Sequence, residues 1–145
     1  MNSSFLGTKL LSATGEVTPD TALAAPVVAI YFSAHWCPPC RGFTPALAKL
    51  YKEWNATTKE IEIIFVSRDK DEPSFAGYFK EMPWLAIPFE EKTVVDQLRT
   101  KYKVNSIPCL VVVDKKGEPL ELRARDTVDD KEAAALASFK ELYEK

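Results

Sequence analysis

Cysteine occurs only three times in the 145 residues, too few for a small secreted scaffold held together by disulfides. The stretch from Met1 to Gly15 lacks the charged start and apolar centre of a signal peptide. Both absences point to a reducing compartment, and the cytoplasm is the expected location. Positive charge is not in excess, because 19 Lys and Arg stand against 21 Asp and Glu for a formal net charge of −2. That excludes the broad basic field needed to hold nucleic acid or an anionic membrane non-specifically. Long apolar runs are missing as well. The longest mostly apolar segment, Ala22 to Phe32, is interrupted by Pro26 and falls well short of a bilayer span. There are no internal repeats and no low-complexity segments. A chain of this length with 46% apolar residues can bury one sizeable core, so residues 1–145 are expected to form a single domain, acting as a monomer.

What is present is organised around Trp36-Cys37-Pro38-Pro39-Cys40. Before it, Val27 to Ser33 is a near-continuous apolar run of the kind buried on both faces of a sheet. After it, Phe43, Leu47, Leu50, Tyr51 and Trp54 recur at helical spacing and predict a helix from about Pro38 to Asn55. Ile61 to Val66 reads as another strand, so strand, helix and strand make a right-handed unit with parallel strands. Asp71 caps a helix with an aromatic face of Phe75, Tyr78 and Phe79. Val94, Val95, Leu98 and Tyr102 mark a further helix, and Cys109 to Val113 is a strand entered through Ile107-Pro108. Phe5 to Ser12 and Glu16 to Thr18 suit a short N-terminal hairpin. Pro19 to Pro26 and Trp84 to Phe89 read as connections. Pro119 to Arg125 suits an edge strand, and Thr127 with Asp130 resembles a capping box opening a last helix, Asp129 to Tyr143. The class is α/β, with a parallel or mixed sheet.

Two cysteines separated by two residues at a strand-to-helix junction form a redox arrangement. Cys37 falls at the start of the helix, where unpaired N–H groups and the helix dipole favour a thiolate, the form that attacks a disulfide. Cys40 lies one turn on, on the same face, and can resolve the mixed disulfide. Pro38 and Pro39 suit the first helical positions because neither needs an N–H there, and they stiffen the pair. Trp36 is expected to be a partly exposed lid. Asp69, just past the second parallel strand, lies at the same sheet edge and is the candidate for proton transfer. Cys109 is a third sulfur that reads better as a small apolar residue. The competing reading makes the pair half of a zinc site completed by His35 and Cys109, but such sites come as two spaced pairs. Neither a metal nor a bound cofactor is expected.

The stretch Tyr31 to Pro45, together with Phe75-Ala76-Gly77-Tyr78-Phe79, Met82 to Phe89 and Ser106-Ile107-Pro108, resembles the thioredoxin superfamily and, within it, the tryparedoxins and nucleoredoxins. The resemblance implies a thioredoxin fold: a central mixed sheet flanked by helices, here with an N-terminal β-hairpin extension. It also implies a cis bond at Pro108, leaving the backbone of Ile107 free to pair with an extended substrate. The implied activity is a shuttle whose redox-active disulfide, Cys37–Cys40, passes electrons from the dithiol trypanothione, or a similar small dithiol, to peroxiredoxin-type peroxidases and other disulfide proteins. Arg125 is implied in recognising the donor or partner. The chain departs from the tryparedoxin pattern at Arg68-Asp69-Lys70, where that group carries Trp-Asp-Glu, and at Cys109, where threonine is usual. Ile63 to Ser67 is nearer to nucleoredoxin. The alternatives are a nucleoredoxin-like reductase with another donor and a non-catalytic binding module of the same fold.

Overall fold

The computed structural model describes residues 5–144, so the signal-peptide reading of Met1 to Gly15 begins in residues outside the described ones. Seven strands form one mixed sheet, in the spatial order β2 (Gly15–Val17), β1 (Leu10–Ser12), β5 (Leu85–Ala86), β4 (Ile61–Ser67), β3 (Val27–Ser33), β6 (Cys109–Val113) and β7 (Pro119–Glu121). At its centre β3 (Val27–Ser33) is buried at every residue. It pairs in parallel with β4 (Ile61–Ser67), from Val27 opposite Ile61 to Ser33 opposite Ser67. On its other side it pairs antiparallel with β6 (Cys109–Val113), which sets Cys109 opposite Phe32. The apolar run is continuous because both faces of the strand are covered, and its side chains divide at period two. Val27, Ala29 and Tyr31 enter one core with Leu47, Trp54, Phe65, Trp84 and Phe139. Val28, Ile30 and Phe32 enter the opposite core with Leu10, Ile64, Leu98 and Tyr102.

Helix α2 (Pro38–Trp54) crosses between the parallel strands β3 and β4, burying Phe43, Leu47, Tyr51 and Trp54. Helix α3 (Glu72–Phe79) starts at Asp71, whose carboxylate accepts the Ser74 N–H at 2.9 Å and satisfies one of the helix's orphan donors. Helix α4 (Lys92–Lys101) buries Val94 and Leu98 against the second core. The N-terminal hairpin is present as β1 (Leu10–Ser12) and β2 (Gly15–Val17), a shorter first strand than Phe5 to Ser12 suggests.

Four segments differ from the reading of the sequence. The connection Pro19 to Pro26 contains a short helix, α1 (Pro19–Leu23), started by a proline at its first turn, where the fixed φ suits a helix. The connection Trp84 to Phe89 contains β5 (Leu85–Ala86), which pairs parallel with β4 and antiparallel with β1. Two residues are too few to carry a period, yet they join the hairpin to the sheet. The edge strand β7 (Pro119–Glu121) stops early, and α5 (Ala124–Lys131) takes over, anchored by buried Ala124 and Val128 one turn apart. Arg125 is therefore helical. Thr127 lies inside α5 and caps nothing; its hydroxyl donates to the Glu121 carboxylate at 3.3 Å. The last helix, α6 (Ala135–Leu142), begins only after Glu132, whose φ of +50° ends α5, and a 3₁₀ turn, Glu132–Ala134. Trp54 Nε1 donates to the Ala133 carbonyl at 2.9 Å, fastening that break to the end of α2.

Phe65 sits in a stack with Phe75 and Phe79, at 5.8 Å between the Phe65 and Phe75 centroids, and meets the edge of Tyr78. Because Phe65 is fully buried, Phe65→Ala is expected to cost about 3–5 kcal/mol of stability. The midpoint of urea unfolding, read with an unchanged slope, measures it.

Candidate active site

The end of β3 and the start of α2 hold the two cysteines of the pair, both as free thiols. The carbonyl of Ala34 accepts the Cys37 N–H at 3.2 Å, closing the turn between them. Cys37 is the N-cap of α2, with extended backbone, and Pro38 and Pro39 fill the first helical positions. The Cys37 sulfur accepts the Cys40 N–H at 3.4 Å, so one of the orphan N–H groups of the helix points at it. Its own thiol donates to the Ile107 carbonyl at 3.8 Å, and the Ile107–Pro108 bond is cis. Cys37 retains 5% exposure and Cys40 none, so only the first sulfur touches solvent. Negative charge on Cys37 would meet the Cys40 N–H at the helix start, whereas Cys40 is enclosed.

Burial, and then the neighbouring Cys37 side chain, push the Cys40 thiol up to about 11. The Ser33 hydroxyl and the Ala34 backbone partly offset this. Ser33 belongs to a buried chain of hydroxyls. Ser33 Oγ lies 2.8 Å from the Tyr78 hydroxyl, Tyr78 is 2.6 Å from Thr44 Oγ1, and Thr44 is 2.6 Å from the Tyr31 hydroxyl. Tyr78 also donates to the Cys40 carbonyl at 3.3 Å. Burial raises the Tyr31 and Tyr78 hydroxyls above their ordinary range, so both are neutral donors at physiological pH. The reading of the sequence missed this chain. Its only signal was polar residues in otherwise apolar elements, Ser33 ending a strand and Thr44 on the buried face of a helix.

The other candidates divide between those at the pair and those beside it. Trp36 is 53% exposed and its indole N–H donates to the Arg68 carbonyl at 3.0 Å, laying the ring along the loop after β4. Asp69 is buried, but its carboxylate faces backbone and hydroxyl: one oxygen accepts the His35 N–H at 2.8 Å and the other the Ser67 hydroxyl at 2.9 Å. Both contacts tie the end of β4 to the loop carrying Trp36 and Cys37. His35 turns its ring onto Tyr78, with centroids 5.0 Å apart, and its carbonyl accepts from Arg41 at 2.7 Å. Cys109 is half-buried, its thiol pushed up by burial against the opposing charge of Arg125. Among the described residues, no group of three His, Cys, Asp or Glu side chains is placed to hold a metal. Arg125 shares a groove with Ser106, Pro108 and Cys109; its guanidinium lies 5.8 Å from the Phe43 ring and its Nε 3.5 Å from Asp129.

The family model described as thioredoxin-like matches residues 26–119, from the start of β3 to β7. The chain is a thioredoxin-like protein of the tryparedoxin and nucleoredoxin branch. Over 107 residues this thioredoxin-like chain is 44% identical to tryparedoxin of Trypanosoma brucei brucei, covering 74% of itself and 73% of that protein. It is 42% identical over 116 residues to mouse nucleoredoxin, covering 80% of itself and 27% of that protein. The chain thus spans about a quarter of the length of the nucleoredoxins it matches. A solved structure of tryparedoxin II complexed with glutathionylspermidine superposes at a TM-score of 0.84 with 36% identity, covering 92% of this chain and 95% of that one. The implied fold is the observed one: a mixed sheet flanked by helices, with the hairpin at its edge.

In this thioredoxin-like site, Cys40 is expected to titrate near pH 11, followed by the ¹³Cβ shift of the labelled, reduced protein. Because the Ser33 hydroxyl favours the Cys40 thiolate, Ser33→Ala should move that step to higher pH. A downward shift would contradict the role of the hydroxyl.

Proposed function

We propose that the protein is a thiol-disulfide oxidoreductase that reduces disulfides in partner proteins. The observation that carries this reading is the placing of Cys37, at a helix start, with the Cys40 N–H on its sulfur and Ile107 beside it. The Cys37 thiolate attacks a partner disulfide, forms a mixed disulfide and expels one partner thiolate. Cys40, once deprotonated, attacks the Cys37 sulfur and expels the second partner thiolate, leaving the Cys37–Cys40 disulfide and a partner reduced by two electrons. Burial holds the Cys40 proton in place, so resolution is the step that alkaline pH accelerates. Asp69, through His35, holds the loop bearing Trp36 and Cys37, and acts as a positioning residue. Ile107 offers backbone to the partner next to Pro108, and Arg125 meets the partner from the neighbouring groove.

The donor that restores the dithiol is, in this reading, trypanothione or a related small dithiol, and the acceptors include a peroxiredoxin-type peroxidase. Support comes from the tryparedoxin relatives and from the tryparedoxin II structure described with glutathionylspermidine. The protein works as a cytoplasmic monomer with no resident cofactor. Arg68 and Lys70 favour a second reading, a nucleoredoxin-like reductase fed by another donor, because they replace the acidic and aromatic flanks of the tryparedoxins with cations.

Reduction of insulin disulfides tests the activity. Cys37→Ser should abolish turnover, and Cys40→Ser should accumulate a covalent adduct that dithiothreitol releases; turnover by Cys37→Ser would reverse the assignment of roles. The donor is tested by re-reducing the oxidised protein with trypanothione, glutathione or a thioredoxin reductase system. Trypanothione is expected to act at the lowest concentration, and its failure alone would select the nucleoredoxin-like reading.

A further inference from the structure

A second groove, of about 270 Å³, opens beside the redox pair and is lined by Trp36, Arg68, Arg99, Asn105, Ser106 and Ile107. Ile107 belongs to both places, since its carbonyl also accepts the Cys37 thiol. Arg68 is fixed at its backbone: its N–H donates to the Ser33 carbonyl at 2.8 Å, and its carbonyl accepts from Trp36 Nε1 at 3.0 Å. The Arg68 side chain is half-buried and makes no ion pair among the described residues. Among the described residues Arg99 pairs only with Asp96, at 4.0 Å, an exposed residue one turn earlier on its own helix. Burial, and then the charge of Arg99, hold the Arg68 guanidinium below its ordinary range, with Asp96 opposing them in part. Lys70 adds a third cation, 5.9 Å from the Trp36 ring.

Two guanidinium groups brought together at a half-buried site raise each other's energy, and an anion between them removes that repulsion. Guanidinium forks match carboxylates in geometry, often through two parallel hydrogen bonds. The groove lies below the roughly 300–1,000 Å³ of a site that encloses a whole small molecule, so it suits one arm of a ligand. We propose that Arg68 and Arg99 take a carboxylate carried beside the reacting sulfur of the disulfide substrate, so that this protein selects acidic disulfides over neutral ones. The proposal rests on the redox reading of Cys37 and is independent of which donor serves it. A small peptidyl thiol and an acidic protein segment carry the same chemistry.

The experiment uses the full chain and two matched pairs of disulfides. One pair is a synthetic peptide disulfide with Glu or Gln next to its cysteine; the other is glutathione disulfide and its carboxyl-esterified form. In at least one pair, the carboxylate member should show a kcat/KM about five- to tenfold higher at low salt, falling toward parity near 0.5 M salt, as expected of a charge-assisted contact at a partly exposed site. The pair that discriminates identifies the source of the carboxylate. Arg99→Gln should bring the ratio to about one while leaving the neutral substrate's rate unchanged, and Arg99→Lys should restore part of it. Equal rates within both pairs for the unaltered protein, or a ratio that survives Arg99→Gln, would overturn the proposal. Failure to reduce any of the four substrates would instead overturn the oxidoreductase reading.

Discussion

Complete burial of β3 between β4 and β6 is the constraint on which the rest of the structure depends. A strand covered on both faces and paired along both edges has one register in which its side chains alternate into two cores, and a slip of one residue would exchange them. With that register held, the chain leaves the sheet at Ser33. Everything chemical is then placed by what attaches to that point. The Ser33 carbonyl takes the Arg68 N–H, its hydroxyl reaches Tyr78, and the turn after it delivers Cys37 to the start of α2. The Tyr143 hydroxyl accepts the Val28 N–H at 2.9 Å, so the C-terminal helix is tied to the same strand.

The two sulfurs are chemically unequal because they lie on opposite sides of the boundary of this core. Cys37 meets a helix N–H and a trace of solvent, while Cys40, three residues on, is enclosed with neutral hydroxyls below it. The carboxylate of buried Asp69 accepts from the His35 N–H and the Ser67 hydroxyl. Cations stand in the surrounding grooves by contrast: Arg68 and Arg99 line one with Trp36 and Ile107, Lys70 lies 5.9 Å from the Trp36 ring, and Arg125 lines the other with Pro108. The buried groups beside Cys40 are thus neutral hydroxyls, and the charged groups lie in the grooves around it.

The sequence by itself determined the elements whose patterns are long: β3, α2, β4 and β6 carry seven, seventeen, seven and five residues, and their periodicity reports burial directly. It also determined the cysteine pair, since local spacing at a strand-to-helix junction is itself the signal, and the flanking blocks carried the family resemblance. The tertiary structure alone decided what depends on contacts between distant segments. β5 exists because β1 and β4 supply its partners, the 3₁₀ turn after α5 is fastened where Trp54 Nε1 donates to the Ala133 carbonyl, and Arg125 is helical because Ala124 and Val128 found a core. Asp69 came to accept the His35 N–H, and Arg68 and Arg99, 31 positions apart in the chain, came to line one groove. Periodicity records whether a side chain is buried; which distant group it meets there is settled only when the chain closes on itself.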